Sequence, residues 1–318
     1  MQVLAQLLDS VQVGPGVTAG GLSMFPLVGR DADPAPAYLL LDDAMRGEVA
    51  EVTEVSQGGS VPFLKFTNRG NTDILLLDGE ELVGAKQNRV LNLTILVGAG
   101  QVVEIPVSCV EAGRWAWRSR RFESGGRKLH ARARARKAMD VSAAMARSGT
   151  RSGGEIQSRV WREIDSKMDA LLFQSATSSL HDAYDSREAT LADLRKQFTP
   201  VPHQVGAAFA IGGTIVGIDL YDRHETLVRI LPKLVDSHAF DAIEKEGKPD
   251  EPPPSLEEVR HLLHRIAVAS SQEYPAIAKG TDVRIEGGAL HAAALVADGR
   301  VAHLAAFAAA QDDSGLFI

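Results

Sequence analysis

Residues 78–115 read DGEELVGAKQNRVLNLTILVGAGQVVEIPVSCVEAGRW, and the reading of this stretch decides the fold. A polar cluster from Asp78 to Arg89 leads into two apolar runs, Val90 to Val97 and Val102 to Val110, separated by Gly98-Ala99-Gly100. Short runs rich in valine and isoleucine and bounded by turn-formers are strands. The brief glycine connection predicts that these two pair as a hairpin. The far end is polar again, with Cys109, Glu111, Arg114 and Trp115. Such a concentration of Glu, Lys, Gln, Asn and Arg at strand ends is where a binding surface is expected.

Toward the N-terminus, SMFPLVG, PAYLLLDDA, EVAEVTEV, VPFLKFTN and TDILLLDGE follow one another, each apolar or alternating and each bounded by Gly, Asp, Asn or Pro. This is the pattern of an antiparallel sheet, so residues 22–111 read as a β-sandwich or curved sheet of about six to eight strands. In EVAEVTEV the valines at 49, 52 and 55 do not alternate strictly, which predicts a bulge or half-turn. Met1 to Leu8 reads as a leading helix with Leu4, Leu7 and Leu8 on one side.

Toward the C-terminus the character changes at Arg118. Ser124-Gly125-Gly126 reads as a break, and KLHARARARKAMDVSAAMAR is helix-permissive. EIQSRVWREIDSKMDALLF repeats apolar residues at helical spacing and is read as running on through Leu180 to Tyr184; a helix from Arg187 to Phe198 precedes a Pro stop. QVGAAFAIGGTIVGIDLYD is a hairpin around Gly212-Gly213. The helical span Arg223 to Glu246, interrupted at Pro232, leads into the proline-rich linker Glu244 to Pro254. Ser255 with Glu258 starts a capped helix, and three short strands around Gly287-Gly288 and Asp298-Gly299 close the chain.

The expected fold class is therefore α+β: an N-terminal antiparallel β-sandwich or curved sheet, a central helical insertion, a second β-hairpin unit with helices, and a small C-terminal β segment. The expected regions are 1–111 with the polar motifs, 112–203 as a basic helical insertion, 204–248 completing the core, and 249–318 as linker, helix and final strands.

At 318 residues with 45% hydrophobic and 24% charged residues, the chain has material for a sizeable core, which excludes global disorder. The N-terminus has no Lys or Arg before its apolar stretch and Asp9 interrupts it; the pattern predicts no secretory signal, no membrane span and a cytoplasmic address. A single cysteine, Cys109, excludes an intrachain disulfide and a thiolate metal cage. The formal charge of −7 hides a segment of +9 between Arg114 and Lys137 against −16 elsewhere. Such a segment either grips a polyanion or pairs with acids elsewhere on the protein.

Several motifs fail on spacing. Gly98-Ala99-Gly100 opens like a dinucleotide fingerprint but continues as strand with no helix for the phosphate. His224-Glu225 lacks a histidine at position 228. His261 and His264 share a helix face with no acidic or cysteine partner fixed by spacing, and His181, Asp182 and Asp185 read as a helix end; no metal site is predicted and no cofactor is specified. Cys109 is either a nucleophile activated by a neighbouring cation or a small core residue of an apolar strand. The cluster Glu80, Glu81, Lys86, Gln87, Asn88 and Arg89 is either a solvated hairpin end or a site. Trp115 and Trp117 either stack on a base or anchor the insertion.

Two of these stretches, GAKQNR at 84–89 and IPVSCVEAGRW at 105–115, resemble in order and spacing the signature of a bacterial family named for its association with ADP-ribosylglycohydrolases and rhodanese-phosphatases. The resemblance covers about residues 20 to 245; the tail reads as an addition. It implies a neighbourhood of enzymes that handle ADP-ribose and other NAD derivatives. The expectation is a pocket for a small anionic ligand, a nucleotide being one such, where the Glu80–Arg89 turn meets Cys109–Trp115. Arg89 and Arg114 would hold a phosphate, Glu81 or Glu111 would act as acid or base with Cys109 as the candidate nucleophile, and Lys86, Gln87, Asn88 and Trp115 would contact the ligand. Two alternatives stand beside it: nucleic-acid association or scaffolding through Arg114–Lys137, and polar motifs that are structural bridges inside a homodimer.

Overall fold

The computed structural model describes residues 2–30, 37–56, 58, 61–245 and 251–308. The fold is α+β, and its sheets are antiparallel apart from the pairing of Tyr38–Leu40 with Asp73–Leu76. By its contacts the chain forms two compact units: Met1–Pro36, Thr190–Pro275 and Gly280–Ile318 make one, and Ala37–Ala189 with Ala276–Lys279 the other.

The first unit is a nine-stranded sheet. Its spatial order is Gln12–Val13, Leu22–Val28, Gln204–Ile211, Thr214–Tyr221, Arg300–Ala308, Leu290–Ala297, Thr281–Glu286 and Ser270–Pro275, with Val17–Ala19 beside Leu22–Val28. Strand alternation puts Ala208, Ala210, Ile218 and Leu220 on one face, in an apolar cluster with Leu4 and Leu8 of Gln2–Ser10 and Val259, Leu262 and Ile266 of Leu256–Val268. The other face carries Phe209, stacked on His238 of the helix His224–Ala242 with centroids 4.0 Å apart. The capping box forms as expected: Glu258 N donates to Ser255 Oγ at 3.2 Å and Ser255 N to Glu258 Oε2 at 2.7 Å. Pro232 does not interrupt its helix. The carbonyl left without a donor is that of Val228, which is 37% exposed, so water can meet it. Residues 246–250 of the expected linker lie outside the described residues, and a further strand, Ser270–Pro275, precedes the three expected at the end.

The second unit holds a three-stranded sheet, Ile95–Val97, Asp73–Leu76, Tyr38–Leu40, and a six-stranded one. The latter runs Phe122–Lys128, Glu80–Gly84, Arg89–Leu91, Val102–Cys109, Phe63–Asn68, Ala50–Glu54. Here the chain departs from the expected hairpin. Ile95–Val97 pairs with Ile74–Leu76, whereas Val102–Cys109 pairs with Phe63–Thr67 and Arg89–Leu91. The Gly98–Gly100 turn instead passes the chain from one sheet to the other, held by Asn68 Nδ2 donating to Gly98 O at 2.9 Å and by Asp73 Oδ1 accepting from Ala99 N at 3.1 Å. The run Val90 to Val97 also splits. The Leu91 and Asn92 carbonyls leave the ladder for the buried Lys137 ammonium, at 2.6 and 3.1 Å.

Two more expectations are corrected. Ser124-Gly125-Gly126 is no break but the bulged middle of Phe122–Lys128; a side chain on Gly125 would collide with the Glu81 carboxylate, and Gly126 sits at φ 67°. The helix Gly154–Ala170 does not continue through Tyr184, which belongs to a separate helix, Leu180–Asp185. Ala131–Ser148 and Gly154–Ala170 pack together, the second also against Val102–Cys109. The six-stranded sheet curls until its end strands, Phe122–Lys128 and Ala50–Glu54, lie beside each other without a hydrogen-bonded register.

Candidate functional site

The polar motif at 80–89 is a β-hairpin whose strands are Glu80–Gly84 and Arg89–Leu91. Its connection is strained at Ala85, with φ 40°, and is fastened from outside: Ala85 N donates to Ser119 Oγ at 3.0 Å. The second motif, Cys109 to Trp115, comes against it. Gln87 Nε2 donates to Glu111 O at 2.9 Å, and Asn88 N to Glu111 Oε2 at 3.1 Å. The structure thus brings the two motifs together.

What they make of each other is mostly a brace. Arg114 donates from Nε to Glu111 Oε1 at 2.9 Å, from Nη1 to Ala85 O and Ala116 O, and from Nη2 to Glu111 Oε2 at 2.7 Å, Asn88 Oδ1 and Gly84 O. A guanidinium has five N–H donors, so none is left for a phosphate. Glu111 further accepts from Thr177 Oγ1 at 3.0 Å. Burial would raise its carboxyl, but the bonds from Arg114, Asn88 and Thr177 outweigh burial and lower it. A carboxylate so held is a poor proton carrier. These bonds commit Arg114 and Glu111 to each other and to the hairpin.

Cys109 is buried, and burial pushes its thiol up to about 11, away from the thiolate a nucleophile needs. Its backbone is clamped by Gln157, whose Oε1 accepts from Cys109 N at 2.7 Å and whose Nε2 donates to Cys109 O at 3.0 Å. Glu80 closes its own turn by accepting from Leu77 N at 2.9 Å. Glu81 pairs with His181, Oε2 to Nδ1 at 2.8 Å; this bond, ahead of the opposing effect of burial, raises the imidazole. Lys86 donates to Gly58 O at 2.6 Å, and its ammonium lies 5.2 Å from the ring centres of both Trp115 and Trp117.

Most of the basic segment also turns inward or sideways. Lys137 and Arg134 bind the carboxylate of Asp78, and Lys128 its carbonyl; burial would raise the Asp78 carboxyl, but these cations hold it far below the carboxylate range. Arg121 meets Glu51, Arg127 meets Glu188, and Arg132 and Arg136 meet Glu163. The pairing reading of the charge asymmetry thus accounts for most of the segment. Arg118 and Arg120 are exposed.

Those two arginines line a cavity of about 840 Å³ together with Thr53, Glu54, Ser56, Trp117 and Ser119. It lies where the end of Ala50–Glu54 meets the segment that precedes Phe122–Lys128. The inward face there follows strand alternation, Ala50, Val52 and Glu54, so a glutamate takes a core-facing position. Its nearest ionic partner is Arg89, fully buried, with Nη2 at 4.0 Å from Glu54 Oε1, beyond hydrogen-bond reach. Arg89 Nη1 donates to Gln87 Oε1 at 3.1 Å. Among the described residues, both Glu54 oxygens and the Arg89 Nε and Nη2 atoms have no hydrogen-bond partner. Buried polar groups are almost always satisfied, and each exception needs an explanation. Burial lowers the Arg89 guanidinium from its ordinary value.

Sequence reasoning missed Glu54, Arg118 and Arg120. The signal for Glu54 was available: as a strand, AEVTE puts Ala50, Val52 and Glu54 on one face. Arg120 was counted only as part of the basic segment, and Arg118 there and as a neighbour of Trp115 and Trp117. His261 and His264 are exposed on their helix, and among the described residues no three His, Cys, Asp or Glu side chains are grouped to hold a metal.

The fold and this cavity define an α+β protein with a curled, unclosed β-sheet whose inner wall carries an unsatisfied Arg–Glu pair. Residues 10–307 match the ARG and Rhodanese-Phosphatase-superfamily-associated Protein domain, ARPP-1, and the chain belongs to that family. The match takes in the C-terminal strands, so the tail is part of the family's domain and not an addition. No curated protein and no solved structure matches the chain. No helix among the described residues is long and apolar enough to cross a membrane.

Proposed function

We propose that the second unit binds an anionic small molecule of the nucleotide class, ADP-ribose or another NAD-derived nucleotide, in the cavity between Thr53–Ser56 and Trp117–Arg120. The observation that carries the reading is buried Glu54, at the wall of a cavity rimmed by exposed guanidiniums, paired with Arg89 behind it and with hydrogen bonds unmet on both. Arg118 and Arg120 supply bidentate donors for phosphate, and Trp117 offers an indole face for a base. Gln87 orients Arg89, while Asn88, Glu111 and Arg114 hold the hairpin that places both. Lys86 and Trp115 support the rim through their cation–π contact. The family's name, which couples it to proteins of ADP-ribose chemistry, agrees with this ligand class.

Calorimetry with ADP-ribose and NAD tests it. The wild type releases heat on binding, and the Arg118→Ala, Arg120→Ala double variant loses at least tenfold in affinity, as expected when two charge-assisted contacts are removed. Equal binding by wild type and double variant, or no binding by either, refutes the assignment.

A further inference from the structure

Resting on that nucleotide reading, we infer that Glu54 is the specificity residue for a vicinal diol, so that the cavity selects ribonucleotides over sugars lacking both hydroxyls. Glu54 is buried, lines the cavity, and has two carboxylate oxygens that among the described residues accept no hydrogen bond. An ionised carboxylate accepts only, and its two oxygens suit a pair of donors held side by side. Arg89 at 4.0 Å already provides the compensating positive charge. A second cation at Glu54 would then be repelled by Arg89, so the missing partners are neutral donors, and adjacent hydroxyls on a five-membered sugar ring are such a pair. Carboxylates fill this role at ribose hydroxyls in nucleotide-binding folds of other architecture.

The surroundings agree with this polarity. With Arg118 and Arg120 exposed and Glu54 buried among the lining residues, the cavity carries cationic donors outermost and an acceptor pair covered just behind its wall, which the diol meets once the wall gives way. A nucleoside phosphate, with its anionic end separated from its diol, matches that order. A simple anion such as inorganic phosphate leaves the Glu54 oxygens unmet. Thr53 and Ser56 flank Glu54 with hydroxyls that can hold the sugar's ring oxygen or a bridging water.

The test titrates ADP and 2′,3′-dideoxy-ADP into the wild type, the Glu54→Gln variant and the Arg118→Ala, Arg120→Ala variant. The wild type is expected to bind ADP at least about tenfold tighter than the dideoxy analogue, because the analogue leaves buried acceptors unpaired. Glu54→Gln, nearly isosteric, narrows that ratio to within about threefold, whereas the double arginine variant weakens both ligands and preserves it. Equal wild-type affinity for the two ligands overturns the role of Glu54 while leaving the anionic pocket standing. Failure of both to bind overturns the pocket and this inference together. The wild-type arm removes the hydroxyls from the ligand, so the result stands even if a variant misfolds.

Discussion

Two arginine–glutamate pairs in the same unit, both largely buried, have opposite fates. Arg114 and Glu111 meet bidentately at 2.7 and 2.9 Å and spend every donor and nearly every lone pair on neighbours. Arg89 and Glu54 stop at 4.0 Å and leave four polar atoms with no partner among the described residues. A satisfied buried pair is architecture, because breaking it exposes a charge to a medium that cannot solvate it. An unsatisfied one, kept beside a cavity, costs stability that a better-packed apolar pair would recover, which is the pattern of a residue retained for a ligand.

The contrast can be broken by substitution. The largest effect is expected at the carboxylate that meets two fully buried cations. Asp78→Asn takes from Lys137 and Arg134 the carboxylate they share in the core and should cost about 3–5 kcal/mol in urea unfolding. The Asp78 carboxyl is depressed in the folded state, so its contribution is present above the unfolded value of about 4 and is lost as pH falls toward the folded one. The stability gap between wild type and variant should therefore close on acidification below that point. A pH-independent gap would mean that the charges are not its source.

Next comes Arg114→Met, which takes the cation from Glu111 and one donor each from the Gly84, Ala85 and Ala116 carbonyls; about 2–4 kcal/mol is expected in the same assay. His181→Asn should cost less than about 1 kcal/mol, since the imidazole is partly exposed. Its raised pKa gives a contribution that is full below the unfolded value of about 6.5 and fades as pH rises through the folded value. An NMR titration midpoint for His181 at or below that value would contradict the Glu81 bond. Smallest of all, the Glu54→Leu, Arg89→Met double variant should change stability by no more than about 1 kcal/mol in either direction. A loss as large as that at Arg114 would show that the pair is structural after all.

How far the chain could be read before folding differs between the same regions. Strand segments, the Ser255 cap and the Gly212-Gly213 hairpin are local matters of turn chemistry and alternation, and the sequence carries them openly. The Gly98–Gly100 turn was legible as a reversal, but its partners are chosen by Asn68 and Asp73 from elsewhere in the chain. Likewise, nothing near Leu91 announces that Lys137 will end its strand. At the site, the motif residues stand out in the sequence because they are dense and polar, and in the fold they bond largely to one another. Glu54 escaped notice because one glutamate among valines and threonines looks like ordinary alternation until the inward face is known.

The curled sheet has one further consequence. Its two end strands, Ala50–Glu54 and Phe122–Lys128, share no ladder, and Arg121 forms an ion pair with Glu51 across them at 2.5 Å. Widening that gap sacrifices no strand pairing between the two, so the separate hollow of about 540 Å³ lined there by Ala50, Val52, Phe122 and Ser124 can change its width while every strand keeps its register. Screening of the exposed Arg121 guanidinium makes ionic strength a control on that width.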